Sequence, residues 1–497
     1  MTNLTRTDWE SRAKSLKIEG RAFINGEYTP AFNSETFDCI SPIDGRLLAK
    51  VASCGQADAD LAVREARTTF DAGIWSQLAP ASRKAVMIRF ADLIEEHAEE
   101  LALLETLDMG KPISDSLNVD IASSAYALRW SGEAIDKIYD EVAPIGHDQL
   151  GLVTREAIGV VAAIVPWNFP LMVACWKLGP ALATGNSVIL KPSERSPLTA
   201  IRVAQLAIAA GIPKGVLNVL PGYGHTVGKA LALHMDVDTL VFTGSTKIAK
   251  QLLVYAGESN MKRVWLEAGG KSPNIIFADA PDLKAAAESA AAAIAFNQGE
   301  VCSAGSRLLV ERSIKDDFVP LVIEALKSWK PGHPLDPATN IGALVDIQHL
   351  NTVLSYIEAG STDGAQLLMG GKRVMTETGG AYVEPTIFSN VSNSMRIARE
   401  EIFGPVLSVI TFDSTEEAIK IANDTPYGLA AALWTSNISK AHLTAKALRS
   451  GIVWINQYDG DDMTAPFGGF KQSGNGRDKS LHAFDKYTEL KATWIKL

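Results

Sequence analysis

The stretch "IGVVAAIV" (158–165) carries no charge, is rich in β-branched residues and has the length of a strand buried on both faces. Three runs of the same kind follow it along the chain: "NSVILKP" (186–192), "GVLNVLPG" (215–222) and "TLVFTGS" (239–245). Helical stretches separate these runs, and the helix candidate "LTAIRVAQLAIAAG" (198–211) ends at Gly211, which suits a helix C-cap. Strands that alternate with helices in this way predict a parallel α/β sheet.

A second alternating block begins near Ser272. Its strand-like runs are "NIIFADA" (274–280), "SRLLVER" (306–312), "LSVITFD" (407–413) and "GIVWINQ" (451–457). The alanine-rich segment 283–296 has the composition of a helix, and residues 58–138 show amphipathic helical spacing. The predicted fold class is therefore α/β, with two α/β domains that share one cleft.

Two strand-like segments belong to neither block. They are residues 140–159 and the C-terminal segment 480–497, which contains "DKYTELKATWIKL". Strands left over in this way commonly pair with the sheet edge of another subunit. We therefore expect a small β arm that mediates oligomerisation, and a plain surface hairpin is the alternative.

The composition narrows the class of protein. The chain has 497 residues, 47 Lys and Arg against 57 Asp and Glu, and a net charge of −10. It has no basic block, which argues against a nucleic-acid partner. The four cysteines are scattered without any CxxC spacing, which predicts a reducing compartment, the cytoplasm, and neither a disulfide framework nor a metal site.

The sequence also argues against a membrane protein. The N-terminal "MTNLTRTDWESRAKSLKIEG" is polar and lacks the apolar core of a secretory signal. Residues 157–176 are uncharged and long enough to span a bilayer, but Pro166, Asn168 and Pro170 interrupt them. This segment is predicted to form a buried strand, a turn and the start of a helix.

The stretch "FNQGEVCSAGS" (296–306) places Cys302 among glycines and small polar residues. A free cysteine is by default a small buried side chain. A nucleophilic cysteine usually needs a protonated histidine, a lysine or a helix N-terminus beside it, and none of the eight histidines lies in a motif. This pattern argues against a Cys/His hydrolase and leaves a thiol that a carboxylate or a cofactor tunes.

Three polar residues stand in settings that suit catalysis. Glu267 in "WLEAGGKSP" follows an apolar run, where burial raises a carboxyl pKa and favours a general base. Asn168, between two prolines in "VPWNFP", is a rigid amide donor for an oxyanion. Glu401 in "REEIFGPV" is a second carboxylate, although an acid before a Gly-Pro turn is often only a cap.

Turns that could contact a cofactor follow three of the strand-like runs, and two of these turns are rich in glycine. "LPGYGHTVG" (220–228) and "FTGSTKIA" (242–249) bring backbone N–H groups and a helix start to one place, as diphosphate sites require. Neither is a full dinucleotide-binding motif, and tight turns alone look similar. In "ILKPSERS" (189–196), Glu194 could accept bonds from a ribose diol, or it could form a solvated ion pair with Lys191.

Taken together, these motifs resemble the NAD(P)-dependent aldehyde dehydrogenase superfamily over nearly the whole chain. The matching stretches, in the family's order and spacing, are "PWNFP", "LKPSE", "FTGS", "LEAGGKSP", "FNQGEVCSAGSR", "EEIFGPV", "YGLAAALWT" and "PFGGFKQSGNGRD". The resemblance implies a Rossmann-like NAD-binding domain (1–139 and 160–271), a catalytic domain (272–479) and an oligomerisation arm (140–159 and 480–497). It also implies a dimer or a dimer of dimers, and NAD as cofactor, with NADP possible.

The resemblance further implies a role for each matching position. The catalytic residues are the nucleophile Cys302, the oxyanion donor Asn168, the base Glu267 and the proton carrier Lys177. The cofactor is expected against Trp167, Lys191, Glu194, Gly228, Gly244, Ser245, Glu401 and Phe403. Two positions depart from the family pattern: Ala249 replaces a frequent glycine, and Asp478 replaces the glutamate at the far end of the proton path.

The substrate tunnel is expected to be lined by Phe169, Trp176, Asp120, Asp459, Asp461 and Phe467. The loop "NQYDGDDMTAPFGG" (456–469), which also holds Asp462, and the helix segment "DSLNVDIASS" (115–124), which also holds Asp115, would make this tunnel acidic. Acidic walls favour a cationic substrate tail. The pattern resembles the ω-aminoaldehyde branch, which includes γ-glutamyl-γ-aminobutyraldehyde and 4-guanidinobutyraldehyde dehydrogenases.

Several alternatives compete with this interpretation. The acidic loop could face solvent, in which case a general aliphatic or betaine aldehyde dehydrogenase is expected. A cofactor-independent esterase would also use Cys302, and a CoA-dependent relative usually lacks the glutamate at position 267. A binding protein that has lost catalysis is disfavoured because Asn168, Glu267 and Cys302 are all present.

Overall fold

The computed structural model describes residues 4–497. Within that range the α-helices, in chain order, are α1 (Arg6–Ser15), α2 (Gln56–Asp71), α3 (Pro80–Glu96), α4 (Ala98–Met109), α5 (Ile113–Asp115), α6 (Ala122–Ala134), α7 (Pro170–Ala183), α8 (Leu198–Ala210), α9 (Lys229–Leu233), α10 (Thr246–Glu258), α11 (Leu283–Ala295), α12 (Lys315–Leu326), α13 (Ile347–Thr362), α14 (Arg396–Arg399), α15 (Thr415–Asn423) and α16 (Ile438–Ala447).

The strands of the same range, in chain order, are β1 (Ala22–Ile24), β2 (Glu27–Thr29), β3 (Thr36–Ile40), β4 (Leu47–Ala52), β5 (Glu141–Ala143), β6 (Gln149–Ala157), β7 (Val160–Ile164), β8 (Ser187–Lys191), β9 (Leu217–Val219), β10 (Thr239–Gly244), β11 (Arg263–Ala268), β12 (Pro273–Ile276), β13 (Arg307–Glu311), β14 (Gln366–Met369), β15 (Arg373–Val374), β16 (Tyr382–Val383), β17 (Thr386–Ser389), β18 (Val406–Phe412), β19 (Ala430–Trp434), β20 (Ile452–Ile455) and β21 (Thr488–Lys496).

The first large sheet has the order β11-β10-β7-β8-β9-β1-β2. The strands from β11 to β9 run parallel, with β7 at the centre, the next two strands in sequence on one side of it and the following two on the other. This order defines a Rossmann-like sheet, in which ligands bind at the carboxyl ends of the strands, where the order reverses. The reversal lies between β7 and β10.

The second large sheet has the order β14-β17-β18-β13-β12-β19-β20. Its strands are parallel except for β14, which pairs antiparallel with β17 at one edge. Both sheets are covered by helices, and buried aliphatic residues pack on both faces of the central strands. The predicted α/β class, with a Rossmann-like part and a second α/β part, is therefore confirmed.

A third sheet stands apart from the other two. The long strand β6 pairs antiparallel with β21 over nine residues and with β5 over three, in the order β21-β6-β5. The predicted strand character is observed for Glu141–Ala143, Gln149–Ala157 and Thr488–Lys496, whereas Leu481–Lys486 forms a 3-10 helix. Leu490, Trp494 and Ile495 are exposed on β21, so this arm presents apolar surface.

Local details follow from the sequence. Strand β7 is buried along its whole length, and Pro170 then occupies the first turn of α7, where a proline costs no helical hydrogen bond. Gly211 ends α8 in the left-handed conformation, as predicted. Within residues 4–497, no helix combines the length and the apolar character needed to cross a membrane.

Candidate active site

A cavity of about 1170 Å³ opens at the carboxyl ends of the first sheet and is walled by both large sheets. The ends of β7, β8, β10 and β11 contribute Val165, Lys191, Gly244 and Glu267 to its wall, and the loop before β13 contributes Cys302. This volume exceeds that of most small-molecule sites, which span about 300–1,000 Å³. The cavity can therefore hold a dinucleotide together with a second small molecule.

The loop that carries Cys302 has an unusual backbone. Asn297, Gln298 and Gly299 follow one another with positive φ angles of 48°, 59° and 71°. A Cβ at Gly299 would overlap the backbone of Gly404, so only glycine fits there. The path brings Cys302 to the cavity wall, where it is partly exposed, whereas the other three cysteines are buried.

The protein groups around Cys302 do not activate its thiol. Burial and the nearby carboxylates of Glu401 and Glu267 raise its pKa to about 12. No histidine contributes to this shift. At neutral pH the group is therefore a protonated thiol that has to give its proton to a base before it can attack a substrate.

Asn168 lies beside this loop and is buried. Its side-chain amide donates to the carbonyl oxygen of Glu300 at 2.8 Å. The Asn297 amide in turn donates to the backbone carbonyls of Asn168 and Glu300, each at 3.2 Å. Since an amide has two N–H groups, this network fixes the Asn168 side chain and leaves one donor available.

Glu267 stands near the end of β11 and is buried at the cavity wall. Neither carboxylate oxygen has a hydrogen-bond partner within residues 4–497. Gly468 and Gly476 flank it, and a Cβ on either glycine would approach Oε1 to 2.7 or 2.9 Å. Burial, together with the negative charge of Asp478, holds the pKa of Glu267 well above its usual value. An unpartnered carboxyl with a raised pKa suits a general base.

Lys177 lies behind Glu267 and forms an ion pair with Asp478. Asp478 also accepts from Lys486 Nζ at 2.5 Å, and all three side chains are buried. Burial alone would raise the pKa of Asp478, but the two ammonium groups outweigh it and lower that pKa. No hydrogen bond joins Lys177 to Glu267 within the described chain, so the two act on each other through charge.

The other end of the cavity contains the predicted cofactor residues. Lys191, at the end of β8, is buried, and its Nζ lies 3.1 Å from Oε2 of Glu194. Burial opposes ionisation of Glu194, yet the Lys191 charge prevails and lowers its pKa. Ser245 caps α10, since its hydroxyl accepts a hydrogen bond from Ile248 N at 3.4 Å. Gly244 and Ser245 both line the cavity, so the unpaired N–H groups in the first turn of α10 lie beside it.

Two aromatic rings and the carboxylate of Glu401 form the rest of this end of the cavity. Trp167 packs edge-on against Phe403 with ring centroids 5.2 Å apart, and the backbone of Phe403 is held in the left-handed region at φ 60°. Glu401 accepts from Gly270 N at 3.1 Å, and burial raises its pKa to about 7. Gly228 lines the same wall.

These residues fit a dinucleotide. An ionised carboxylate at the end of β8 can accept from a ribose diol, and the start of α10 carries the positive end of a helix dipole for a diphosphate. The buried hydroxyl of Thr243, at the end of β10, has no partner within the described residues and faces the same crevice. The cavity then continues without interruption to Cys302.

The remaining part of the cavity is a tunnel with aromatic walls. Three ring pairs form it, with centroid distances of 6.3, 5.3 and 4.8 Å: Phe169 with Phe296, Trp176 with Phe467, and Trp454 with Tyr458. Asp459 and Asp461 line its mouth. Burial and the charge of Asp461 raise the pKa of Asp459 to about 6, so Asp459 is ionised at neutral pH.

The prediction that Asp120 lines this tunnel is wrong. Asp120 is fully buried and forms an ion pair with Lys111, whose Nζ also lies 3.8 Å from Glu105. Residues 116–121 form a π-helical turn, and Val119 and Ser123, which lie near Asp120 in sequence, face the cavity instead. Asp115 on the same segment is also absent from the cavity wall, whereas Asp462 lines the wall, and its Oδ1 accepts hydrogen bonds from the backbone N–H and the hydroxyl of Thr464.

Four residues at the site are not among the sequence predictions. Tyr458 donates its hydroxyl to the carbonyl of Ser303 at 2.6 Å, directly beside Cys302, and Asn297 orders Asn168 as described above. His349 lies 2.7 Å from the Phe403 carbonyl, and Lys479 lines the tunnel. Tyr458 lies in the same sequence stretch as Asp459, and Asn297 in the same stretch as Cys302. Proximity in sequence to these predicted residues is the signal that could have identified them.

A Rossmann-like crevice that leads to a cysteine, an amide donor and an unpartnered carboxyl defines a nicotinamide-dependent dehydrogenase that works through a thiol. Comparison with known proteins agrees with this class. The sequence profile of the aldehyde dehydrogenase family matches residues 28–493. The chain belongs to this family, and it catalyses the NAD-dependent oxidation of an aldehyde.

Three relatives are similar over their full length. The NADP/NAD-dependent aldehyde dehydrogenase PuuC of Escherichia coli strain K12 is 57% identical over 489 residues, which is 98% of each chain. The P. syringae indole-3-acetaldehyde dehydrogenase AldA, solved as a C302A mutant with NAD+ and IAA, is 81% identical with a TM-score of 0.99 over 100% of both chains. The γ-glutamyl-γ-aminobutyraldehyde dehydrogenase of Burkholderia cenocepacia J2315 is 61% identical, with a TM-score of 0.98 over 99% of this chain and 100% of the other.

Proposed function

We propose that the aldehyde oxidised by this chain is an ω-aminoaldehyde, an ω-guanidinoaldehyde or an amide derived from one, with a four-carbon aldehyde chain. The observation that carries this proposal is the carboxylate of Asp459 at the mouth of an aromatic tunnel. A cationic tail there is attracted by the carboxylate and by the faces of the aromatic rings. The names of the PuuC-like and γ-glutamyl-γ-aminobutyraldehyde relatives support the same class.

In the proposed mechanism, the Cys302 thiol first gives its proton to the ionised carboxylate of Glu267, whose raised pKa makes it a stronger base. The sulfur then attacks the aldehyde carbon, a C–S bond forms, and the carbonyl electron pair moves to oxygen. The free N–H of Asn168 and the backbone N–H of Cys302 stabilise that oxyanion. Bound NAD+ supplies the acceptor for the hydride that leaves this carbon, and a thioester on Cys302 remains.

The thioester is then hydrolysed. Glu267 takes a proton from a water molecule, the water oxygen attacks the thioester carbon, and the C–S bond breaks to give a carboxylic acid and the thiolate. Before this step Glu267 has to lose the proton that it took from Cys302: Lys177 takes up this proton while it gives one of its own ammonium protons to Asp478, so Glu267 is ionised again when the water reacts. Gly468 and Gly476 leave the space beside Glu267 that this water needs.

We propose the same cofactor contacts as the sequence predicts. Glu194 and Lys191 would bind the adenosine ribose, the start of α10 at Ser245 would bind the diphosphate, and Glu401 would bind the nicotinamide ribose beside Phe403. The negative charge on Oε1 of Glu194, which Lys191 does not contact, repels a 2′-phosphate. NAD is therefore expected to bind more tightly than NADP, with NADP still accepted.

The chain's organisation is part of this proposal. The NAD-binding domain would comprise residues 1–139 and 160–271, of which the first three lie outside the described part, and the catalytic domain residues 272–479. The arm of residues 140–159 and 480–497 would join subunits through the exposed apolar face of β21, giving a dimer or a dimer of dimers. The scattered free cysteines support a cytoplasmic location.

The test compares kcat/KM for 4-aminobutanal and for pentanal, its uncharged isostere. The proposal predicts a preference for 4-aminobutanal that Asp459→Asn removes, with pentanal turnover unchanged. Equal use of both aldehydes by the unaltered enzyme would contradict it.

A second candidate substrate is an aromatic aldehyde such as indole-3-acetaldehyde. The three ring pairs of the tunnel favour it, since an indole can stack on them without any charge. The relative named for this substrate is 81% identical. Including indole-3-acetaldehyde among the assayed aldehydes distinguishes the two: its kcat/KM would then exceed that of 4-aminobutanal and would not respond to Asp459→Asn.

A further inference from the structure

Lys479 is a cation inside the tunnel that the mechanism does not use. Its side chain is only 2% exposed and belongs to the cavity wall. The ammonium nitrogen lies 4.2 Å from the centroid of Trp176 and 5.6 Å from that of Phe467, so aromatic faces hold it on two sides. A charged group in this position acts directly on any substrate tail.

The backbone directs Lys479 into the cavity. Lys479 and Ser480 have φ angles of 59° and 53°, in the left-handed region that residues with a Cβ rarely adopt. Hydrogen bonds fix the turn on both sides, because Asp478 N–H donates to the Phe467 carbonyl and Ser480 N–H to the Met463 carbonyl, both at 2.7 Å. The turn is thus held against its own strain, which is characteristic of functional positions.

The ammonium group has spare hydrogen-bonding capacity. Lys479 forms an ion pair with Asp461, the one acceptor that it contacts among residues 4–497. An ammonium group has three donors, so two remain. The Asp461 side chain is 56% exposed on a surface loop, and its ion pair with Lys479 demonstrates that this ammonium group can bind a carboxylate. Neighbouring Asp478 does not neutralise Lys479, since it is paired with Lys177 and Lys486.

We propose that Lys479 is a specificity-determining residue that binds a carboxylate at the far end of the substrate, while Asp459 binds an ammonium group beside it. The substrate class is then an aldehyde with a zwitterionic amino-acid tail. This inference rests on the proposed function, because it assumes that the tail lies in the tunnel beside Asp459. A purely cationic tail gains from Asp459 but is repelled by Lys479, whereas a zwitterionic tail is complementary to both.

The experiment uses three aldehydes of equal length that differ only in the tail: N-(γ-glutamyl)-4-aminobutanal, which is zwitterionic; N-glutaryl-4-aminobutanal, which is anionic; and N-pentanoyl-4-aminobutanal, which is neutral. Steady-state kcat and KM are measured with NAD+ for the unaltered enzyme, Lys479→Met, Lys479→Arg and Asp461→Asn. Methionine keeps the length of the side chain without its charge, and arginine retains the charge.

Lys479→Met is expected to lower kcat/KM for the two carboxylate-bearing aldehydes on the order of 10- to 100-fold through KM, because a charge-assisted hydrogen bond is lost. The neutral aldehyde should change less than about 3-fold, and Lys479→Arg should restore most of the loss. Asp461→Asn should act in the opposite direction and raise kcat/KM for the glutaryl compound, since a competing carboxylate is gone.

Equal losses for all three aldehydes in Lys479→Met would overturn the proposal and assign Lys479 to folding of the loop. An unchanged KM for the carboxylate-bearing aldehydes would overturn it as well. Failure of the proposed function is a separate result, since it appears in the unaltered enzyme as equal kcat/KM for 4-aminobutanal and pentanal.

Discussion

Replacing Asn168 with alanine removes the side-chain donor that the mechanism assigns to the oxyanion. In the structure, one N–H of this buried amide is engaged with the Glu300 carbonyl at 2.8 Å, which leaves one for the substrate. Loss of a single donor of this kind costs about 2.7–4 kcal/mol of transition-state stabilisation, or about 100- to 1,000-fold in kcat. We expect Asn168→Ala to fall in that range, with KM altered much less.

The fold should survive this substitution. The Glu300 carbonyl still accepts from Asn297 at 3.2 Å, and the backbone carbonyl of Asn168, which also accepts from Asn297, is unaffected. Since no buried acceptor is left without a partner, the loss in the free energy of unfolding should be about 1 kcal/mol. Urea denaturation followed by fluorescence measures it and serves as the control for the kinetic result.

The assay follows NADH formation with the unlabelled aldehyde and with the aldehyde deuterated at the reacting carbon. If formation of the oxyanion is slower, kcat should fall with both aldehydes. The isotope effect, which is the ratio of kcat for the unlabelled aldehyde to kcat for the deuterated one, should also change. A decrease of less than about 5-fold in kcat, in a variant that is folded and binds NAD+, would refute the assignment of Asn168, since it lies well below the loss of one donor.

Three further predictions concern other parts of the molecule. Because the pKa of Asp459 is raised to about 6, the preference for 4-aminobutanal over pentanal should be full at higher pH and disappear as the pH falls through about 6; a pH profile of the kcat/KM ratio tests this, and Asp459→Asn should show no such dependence. Lys111→Met leaves Asp120 and Glu105 buried without their cation and should lower the free energy of unfolding, measured with urea, by about 3–5 kcal/mol, whereas Arg129→Met, at a partly exposed ion pair, should cost about 0–1 kcal/mol. Deletion of residues 488–497 removes the strand that pairs with β6 over nine positions and should lower the mass measured by light scattering; an unchanged mass would argue against the arm as the subunit contact.

The sequence predicts the central strands of both large sheets because those strands are buried on both faces and read as apolar β-branched runs. It does not predict β1 and β2, which have three residues each and pair antiparallel at the sheet edge. Strands that short have no detectable period, and only their partners in the folded chain make them strands.

Some residues of the candidate active site could likewise be predicted from the sequence, and others could not. Cys302, Asn168 and Glu267 could be predicted because each lies in a distinctive stretch of sequence. Asp120 could not be placed, since a π-helical turn shifts the face that residues 116–121 present and turns its carboxylate towards Lys111. Lys479 gave no signal because its position depends on two consecutive residues with positive φ.

The most direct test of the account is to detect the acyl group on Cys302. Because Glu267 takes the proton of Cys302 and later activates the water, Glu267→Gln should form the thioester slowly and hydrolyse it about 100- to 10,000-fold more slowly than the unaltered enzyme, the contribution of a general base. Intact-protein and peptide mass spectrometry after mixing this variant with NAD+ and 4-aminobutanal should then show one acyl group per chain, on the peptide that contains Cys302. An unmodified Cys302 in a variant that still forms NADH, or an adduct on another cysteine, would contradict the account.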